Sequence, residues 1–181
     1  LIKVKLDAGQ PADCLEAVAT AAPAARLIVD PNEGWTLPVL MAMTDPVSRF
    51  NVAMVEQPLP AGADEGLVGL EYPAPICADE SVHVAADLER VAGRYQMVNV
   101  KLDKAGGLTE ALAMTRRARA MGLGVLAGCM VCSSLAIAPM LWIADLADAA
   151  DLDGPWWLSE DRAGGCRVDQ GLIHPPQPGF W

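Results

Sequence analysis

Seven short runs rich in β-branched and other apolar residues recur along this chain, and their first residues lie about 22 to 27 positions apart. Between the runs are stretches whose apolar residues have helical spacing, the clearest at 11–22, 107–122 and 133–150. Strands that alternate with helices at this period predict βαβ units and a parallel sheet. The seven predicted strands are 2–6, 26–30, 52–57, 75–80, 97–102, 124–129 and 150–154.

The number of these units favours an α/β fold of the (β/α)8 barrel type, with one unit too few. A complete barrel needs about 250 residues, whereas this chain has 181. No GxGxxG follows the first run, which argues against a doubly wound nucleotide-binding sheet. Because the chain begins inside a strand-like run, we expect the first βα unit to be absent and residues 1–167 to form strands two to eight. Residues 168–181 break the pattern, and we expect this tail to pack elsewhere.

Composition excludes several classes of partner and site. The net charge of −10 leaves no basic stripe for nucleic acid, and no apolar run reaches membrane-spanning length. Five cysteines in apolar surroundings favour a reducing cytoplasm over a disulfide framework. Cys129 and Cys132 form a CxxC, but a zinc site would need two more ligands, and the only histidines are His83 and His174. The two cysteines are either two small buried residues near a strand end or a redox-active pair.

Charged residues stand at or near the carboxyl end of nearly every predicted strand. Asp30, Glu56 and Asp79 come from three successive strands. Neighbouring strands lie about 4.8 Å apart, so three carboxylates at one level converge and repel each other. A hard divalent cation with oxygen ligands, such as Mg²⁺, would resolve that repulsion. Each carboxylate alone is explained as well by a loop or a helix N-cap, but together they predict a metal site.

Lysines flank these carboxylates in the predicted fold. Lys3 and Lys5 stand two apart in the first strand, so their side chains share one face, and the apolar residues alternating with them predict a buried strand rather than an exposed edge. Lys101 follows the fifth strand, and we expect it on the opposite side of the carboxylates from Lys5. A neighbouring ammonium and a divalent cation both favour the neutral, basic form of Lys5. This arrangement predicts proton abstraction α to a carbonyl, with the metal stabilising the enediolate.

Five motifs carry a family resemblance. They are KVK (3–5), DPNEGW (30–35), VEQPLP (55–60), ADES (78–81) and NVKLDKAGG (99–107). In them the chain resembles the enolase superfamily, muconate-lactonising subgroup, over essentially its whole length. The resemblance implies Asp30, Glu56 and Asp79 as Mg²⁺ ligands, Lys5 and Lys101 as the acid/base pair, and Lys3 as a supporting cation. It also implies an N-terminal α+β capping domain, absent here, on which the tail 168–181 would pack.

Two further features narrow the resemblance. The seventh barrel strand ends LAGCMVC (126–132), without the His that the mandelate-racemase branch has there, so that branch is disfavoured. The segments AGCMVCSSLAIAP (127–139) and DLDGPWWLSED (151–161) resemble dipeptide epimerases of the L-Ala-D/L-Glu type. In that family an Asp-x-Asp after the last strand binds the substrate's free α-ammonium, which carried over gives Asp151 and Asp153. A loop-forming Asp-Leu-Asp-Gly turn is the alternative explanation of this pair.

The sequence therefore predicts an Mg²⁺-dependent isomerase that epimerises a small dipeptide such as Ala-Glu by two-lysine 1,1-proton transfer. The same site would serve an N-acylamino acid racemase, an o-succinylbenzoate synthase or a muconate cycloisomerase, whose substrates carry no free amine. A barrel used as a non-catalytic binding module is a third hypothesis, and the intact set of polar strand ends argues against it. The sequence leaves a homo-oligomer open.

Overall fold

The computed structural model describes all 181 residues and confirms the α/β fold with a parallel sheet. Seven strands form one sheet in the order of the chain, β1 to β7, one strand fewer than a complete barrel. Their parallel pairing is the pattern that βαβ units produce. The strands are β1 (Ile2–Lys5), β2 (Leu27–Asp30), β3 (Val52–Glu56), β4 (Ile76–Ala78), β5 (Met97–Val100), β6 (Gly124–Gly128) and β7 (Ala149–Asp151).

Seven α-helices lie between these strands, with none between β3 and β4. They are α1 (Pro11–Ala21), α2 (Leu37–Ala42), α3 (Thr44–Arg49), α4 (Leu88–Val91), α5 (Leu102–Ala105), α6 (Leu108–Ala120) and α7 (Ser134–Ala144). Short 3₁₀ helices occupy Glu65–Leu67, Ala85–Asp87 and Gly154–Trp157. None of the helices combines the length and the apolar character that crossing a membrane requires.

The chain divides into two compact units, and the first comprises residues 1–82 and 89–98. Every residue of β2 is buried, as expected for a parallel strand covered on both faces. The core of this unit includes the large side chains of Leu15, Trp35, Leu40 and Tyr95, each almost fully buried. This packing fixes the strand ends from which Asp30 and the following loop emerge.

The second unit comprises residues 83–88 and 99–181. Its core is formed by β6 and by the apolar faces of α6 and α7, with Met114, Leu126 and Ile137 fully buried. Gly128 ends β6 beside the fully buried side chain of Asn99. A Cβ on Gly128 would lie 2.2 Å from the Asn99 side-chain oxygen, so this position requires glycine.

One predicted helix boundary was wrong. The predicted helix 133–150 ends at Ala144, and Ala149 already belongs to β7. Asp148 explains the early end, because its backbone N–H donates to the Val125 carbonyl and its carboxylate accepts the Val125 N–H, both at 2.8 Å. These bonds attach the segment to β6 instead of extending the helix.

One further prediction is confirmed and another needs correction. The helix predicted at 107–122 is confirmed as α6, and it is separated from α5 by Gly106 and Gly107, whose φ values of +78° and +132° do not fit a helix. The apolar residues of β1 are less buried than predicted: Ile2 is 40% exposed and Val4 is half-buried. The reason is that β1 is an edge strand of the sheet and pairs with β2 on one side only.

The tail departs from the repeat, as predicted. Strands β8 (Arg167–Asp169) and β9 (Leu172–His174) form an antiparallel hairpin outside the parallel sheet. Its turn uses Gln170 and Gly171, both with positive φ, as two-residue hairpin turns require. Packing of this hairpin on a capping domain stays a prediction.

Candidate functional site

The predicted site residues lie at or just beyond the carboxyl ends of strands. Lys5, Asp30, Glu56 and Asp151 are the last residues of β1, β2, β3 and β7. Asp79 and Lys101 directly follow β4 and β5, and Asp153 comes two residues after β7. In a barrel this is the edge that carries active sites.

Asp30 is the centre of a charged cluster in the first unit. Lys5 pairs with Asp30 in the register of β1 and β2. The Asp30 Oδ2 atom lies 3.0 Å from Lys3 Nζ and 2.5 Å from Lys5 Nζ, which confirms that the two lysines share a face. The Asp30 side chain is fully buried, whereas 16% of the Lys3 side chain and 61% of the Lys5 side chain are exposed. Lys5 is therefore the lysine that solvent and a substrate can reach.

Lys3 joins a second carboxylate to this cluster. Its Nζ lies 2.9 Å from Glu56 Oε2, so one ammonium bridges Asp30 and Glu56. Burial raises the pKa of Glu56 to about 7; the Lys3 ammonium opposes the rise, and the charges of Asp30 and Asp79 add to it. The three carboxylates of this unit therefore interact electrostatically with one another.

The donor set of these carboxylates suits a hard divalent cation. All three side chains are buried and oxygen-bearing. Burial raises the pKa of Glu56, and the charges of Asp30 and Asp79 add to the rise. As they stand, no three acidic, thiol or imidazole groups of the chain are placed to hold a metal ion together. The residues fit Mg²⁺ in chemistry and burial, and their assignment as ligands stays a prediction.

Asn32 is a polar contact of Lys5 that sequence reasoning missed. Lys5 Nζ donates to Asn32 Oδ1 at 2.6 Å, and the Asn32 amide donates to Glu80 Oε1 at 3.3 Å. The Asn32 backbone N–H donates to Asp30 Oδ1 at 2.9 Å, which holds Asn32 with φ +46°. Asparagine tolerates this left-handed conformation better than most residues. The available signal was its position two residues after a strand-end aspartate, where Asx turns form.

Lys101 lies in the second unit. It is 8% exposed and precedes α5, with extended backbone angles. Its Nζ lies 3.9 Å from the Sδ of Met130, a residue that is 54% exposed and follows β6. The Lys101 side chain is thus almost enclosed, with a thioether beside its ammonium. Its predicted placement opposite Lys5 stays a prediction.

Asp151 and Asp153 also belong to the second unit. The backbone carbonyl of Asp151 accepts a hydrogen bond from the Cys129 thiol, with 3.5 Å between sulfur and oxygen. Asp153 Oδ2 accepts the indole N–H of Trp157 at 2.8 Å, a contact that sequence reasoning did not predict. Asp153 and Trp157 are exposed, so this carboxylate is held in one orientation while open to solvent.

The CxxC pair has the properties of a structural element. Burial raises the pKa of the Cys129 thiol to about 12, and Cys132, Asp151 and Asp153 add to the rise. Burial also raises the pKa of Cys132. Redox-active thiols have lowered pKa values, so the raised pKa values of this pair favour the structural explanation. Both residues are half-buried rather than fully buried.

Comparisons with known sequences identify relatives of this chain. The enolase C-terminal domain-like family model matches residues 1–180. The chain is 47% identical over 174 residues to an L-Ala-D/L-Glu epimerase of Escherichia coli K12, covering 96% of this chain and 54% of that protein. It is 45% identical over 181 residues to an N-acetyl-D-glutamate racemase of Pseudoalteromonas, covering 100% of this chain and 58% of that protein. The chain thus spans little more than half the length of these relatives.

The solved structures that resemble this chain are of the same kinds of protein. An enolase family member from Agrobacterium tumefaciens with homology to dipeptide epimerases, solved with sodium and L-Ala-L-Glu, has a TM-score of 0.95 at 42% identity, covering 99% of this chain and 56% of that one. A dipeptide epimerase from Methylococcus capsulatus, solved with Mg and the dipeptide L-Arg-D-Lys, has a TM-score of 0.90 at 30% identity, covering 99% of this chain and 55% of that one.

Proposed function

This chain belongs to the enolase C-terminal domain-like family, and we propose that the protein it forms part of is an isomerase that epimerises dipeptides of the Ala-Glu kind. The reaction would be a 1,1-proton transfer at the α-carbon of the C-terminal residue, with Lys5 and Lys101 as acid and base and with Mg²⁺ as cofactor. The small dipeptide is the expected partner. A cytoplasmic location and an N-terminal capping domain that covers the site and receives the tail 168–181 belong to the same proposal.

The observation that carries the proposal is the pair of ammonium groups on one buried carboxylate oxygen. Lys3 and Lys5 both contact Asp30 Oδ2, and Lys3 also contacts Glu56. A purely structural ion pair needs one lysine for one carboxylate, and an exposed Lys5 adds little to stability. Two cations and buried carboxylates at strand ends of a parallel sheet instead suit a site that binds and reacts with an anionic substrate.

Asp30, Glu56 and Asp79 would hold Mg²⁺. When bound, the cation supplies positive charge that lowers the free energy of a substrate carboxylate as negative charge develops on it. The chain's own residues contribute the rest: Lys3 compensates the charge of Asp30 and Glu56, and the Asn32 amide oxygen orients the Lys5 ammonium. The contacts of Lys5 Nζ with Asp30 and Asn32 keep this ammonium at the end of β1.

Lys5 and Lys101 would move the proton. A lysine acts as a base only in its neutral form, and Lys101 is buried, so bulk water has little access to it. If the lysines face opposite sides of the α-carbon, one removes the proton and the other returns a proton to the opposite side. Inversion of that carbon follows from using two bases instead of one.

Asp151 and Asp153 would bind the free α-ammonium of the dipeptide. Asp153 is exposed and its carboxylate is oriented by Trp157, which leaves one oxygen for a substrate N–H. A carboxylate attracts an amine and repels an acyl oxygen, so this pair favours dipeptides over N-acyl amino acids.

N-acylamino acid racemisation is the second candidate, favoured by the 45% identity to an N-acetyl-D-glutamate racemase over the whole chain. It would use the same lysines and carboxylates, and Asp151 and Asp153 would then serve only as a turn. The two candidates differ in one group of the substrate, the free amine.

The deciding experiment follows the α-proton of the C-terminal residue by NMR in D₂O, using the full-length protein, Mg²⁺ and L-Ala-L-Glu. We expect loss of that proton signal together with formation of the D-Glu epimer. Exchange of N-acetyl-glutamate without exchange of any dipeptide would establish the second candidate. No exchange of either substrate would refute both.

Variants of the two lysines test the two-base chemistry. With Lys5→Ala, one epimer should still exchange its α-proton through Lys101 without inverting, and Lys101→Ala should show the same for the other epimer. The matched control is Arg167→Ala, which removes an exposed cation of the tail hairpin and should leave exchange and inversion unchanged. Loss of exchange from both epimers in each lysine variant would contradict separate roles.

A further inference from the structure

Gln57 directly follows Glu56, and the proposed mechanism gives it no role. It is fully buried. Its φ of +34° lies in the left-handed region that residues other than glycine rarely adopt. Such a conformation persists only where the surroundings hold it in place, and it concentrates at functional sites.

The Gln57 side chain bonds with both ends of its amide. Its Oε1 accepts the backbone N–H of Asp79 at 2.8 Å and that of Ser81 at 3.1 Å. Its Nε2 faces three acceptors: the Leu59 carbonyl at 2.8 Å, Ser81 Oγ at 2.8 Å and the Tyr95 hydroxyl at 3.0 Å. The two amide protons are thus fully used, and no polar atom of this side chain is left over.

The Gln57 backbone connects two further segments. Its N–H donates to the Cys77 carbonyl of β4 at 2.8 Å, and its carbonyl accepts the N–H of Glu33 at 2.8 Å. One residue therefore fastens together the loops that follow β2, β3 and β4. These are the three loops that start at Asp30, Glu56 and Asp79.

An ion pair between the buried Asp64 and the part-buried Arg94 anchors Ser81 and Tyr95. Asp64 Oδ2 accepts hydrogen bonds from Ser81 Oγ at 2.7 Å and from the Tyr95 hydroxyl at 2.6 Å, and Oδ1 pairs with Arg94 at 2.5 Å. Burial raises the pKa of Asp64, but these bonds and the Arg94 charge outweigh it and hold the pKa below its usual range. Asp64 is therefore a charged, fixed acceptor, which leaves Ser81 and Tyr95 little freedom to rotate.

We propose, on the basis of the proposed function, that Gln57 is a positioning residue that holds the Asp79 loop at a fixed distance from Glu56 and thereby makes the carboxylate site selective for a small divalent cation. Mg²⁺ demands near-ideal octahedral geometry at about 2.1 Å, whereas Ca²⁺ accepts looser geometry and longer bonds. Carboxylates on loops that cannot move apart favour the smaller ion. Loops released from Gln57 would lose that preference.

The test measures cation affinity, which is independent of turnover. Calorimetric titration of the full-length protein with Mg²⁺ and with Ca²⁺ is compared for the wild type and Gln57→Met, which keeps the length of the side chain and removes its hydrogen bonds. We expect Mg²⁺ affinity to fall by about 10- to 100-fold, the usual effect of losing a group that orients a metal ligand, and Ca²⁺ affinity to fall roughly threefold or less.

Gln96→Met is the matched control. The Gln96 amide oxygen also accepts a backbone N–H of β4, that of Ile76 at 2.9 Å, but at the opposite end of this strand from Asp79. This variant loses a comparable hydrogen bond and should keep the wild-type ratio of Mg²⁺ to Ca²⁺ affinity. If Gln57→Met does not fold, Tyr95→Phe removes one of the Gln57 contacts and should shift the ratio in the same direction by a smaller factor.

The outcomes separate this proposal from the proposed function. Equal losses of Mg²⁺ and Ca²⁺ affinity in Gln57→Met, or no loss of either, would overturn the positioning role while the epimerase proposal stands. If Gln57→Met changes the ratio of Mg²⁺ to Ca²⁺ affinity but the wild-type protein epimerises no dipeptide, the positioning role is supported and the proposed reaction is refuted. A wild-type protein that binds no Mg²⁺ would overturn both.

Discussion

The indole N–H of Trp157 orients one carboxylate of the proposed amine-binding pair, and its removal should weaken dipeptide binding. In Trp157→Phe the ring remains and the 2.8 Å hydrogen bond to Asp153 is lost. We expect the KM for L-Ala-L-Glu to rise about fivefold, equivalent to about 1 kcal/mol for one hydrogen bond, with kcat little changed. Steady-state kinetics of the full-length protein measure this. Trp156→Phe alters an equally exposed neighbour, and an equal rise in KM there would contradict the specific role of Trp157.

Gly128 stabilises the second unit because its lack of a side chain leaves room for the Asn99 side chain. In Gly128→Ala the new Cβ would lie 2.2 Å from the Asn99 side-chain oxygen, and neither group can move far because both are buried. We expect a loss of about 1–3 kcal/mol in the free energy of unfolding, typical of overpacking. Urea denaturation measures it. Gly9→Ala meets only the end of the flexible Asp7 side chain, and a comparable loss in that control would argue against the clash.

The strand ends could be predicted at the level of elements because nearly every apolar run gives way to a charged residue. The starts of α1, α6 and α7 were predicted to within one residue, but α5 and the end of α7 were not predicted. The break between α5 and α6 depends on the positive φ of Gly106 and Gly107, and glycine adopts positive and negative φ almost equally well. The end of α7 depends on Asp148 bonding to Val125, 23 residues earlier. Asn32 and Gln57 were likewise missed, because their contacts join loops that only the folded sheet brings together.

The N-terminus of α7 obtains its cap from a distant loop. The helix has no acidic residue in its first turn, and Asp161 accepts the Ser134 N–H and hydroxyl. We expect Asp161→Asn to lower the free energy of unfolding at pH 7 by about 1 kcal/mol, a usual effect for a lost cap. Asp169→Asn, in the exposed ion pair of the tail hairpin, is the control and should have little effect.

The effect of Asp161 should depend on pH. Burial raises its pKa, but the hydrogen bonds from Ser134 and Arg162 prevail and hold it below the usual range. A lowered pKa in the folded state gives stability that is present above the unfolded pKa, about 3.9 for aspartate, and is lost as the pH falls through the folded value. The difference between wild type and Asp161→Asn should therefore shrink from pH 6 to pH 3 in urea denaturation. A constant difference would contradict the assignment.

At the scale of the molecule, the proposed chemistry is divided along the chain. Lys3, Lys5 and the three carboxylates belong to the first unit, and Lys101 belongs to the second together with the aspartate pair. Neither unit alone carries both proposed bases. The chain itself spans 54% and 58% of two relatives that match it over nearly its full length. Complete activity is therefore a property to measure on the full-length protein.

Cation binding should appear as added stability of the folded protein. A ligand that binds only the folded state at 100 times its dissociation constant adds about 2.7 kcal/mol, which raises Tm by roughly 5–10 °C for a domain of this size. We expect this shift when Mg²⁺ is added to the full-length wild-type protein in a calorimetric melt, and its reversal by a chelator. Glu56→Gln should abolish the shift, because it removes a buried carboxylate that the cation would need. Glu16→Gln changes an exposed carboxylate on α1 and should leave the shift intact. If Mg²⁺ raised Tm equally in both variants, the cation would be bound elsewhere, and the carboxylates at the strand ends would need another explanation.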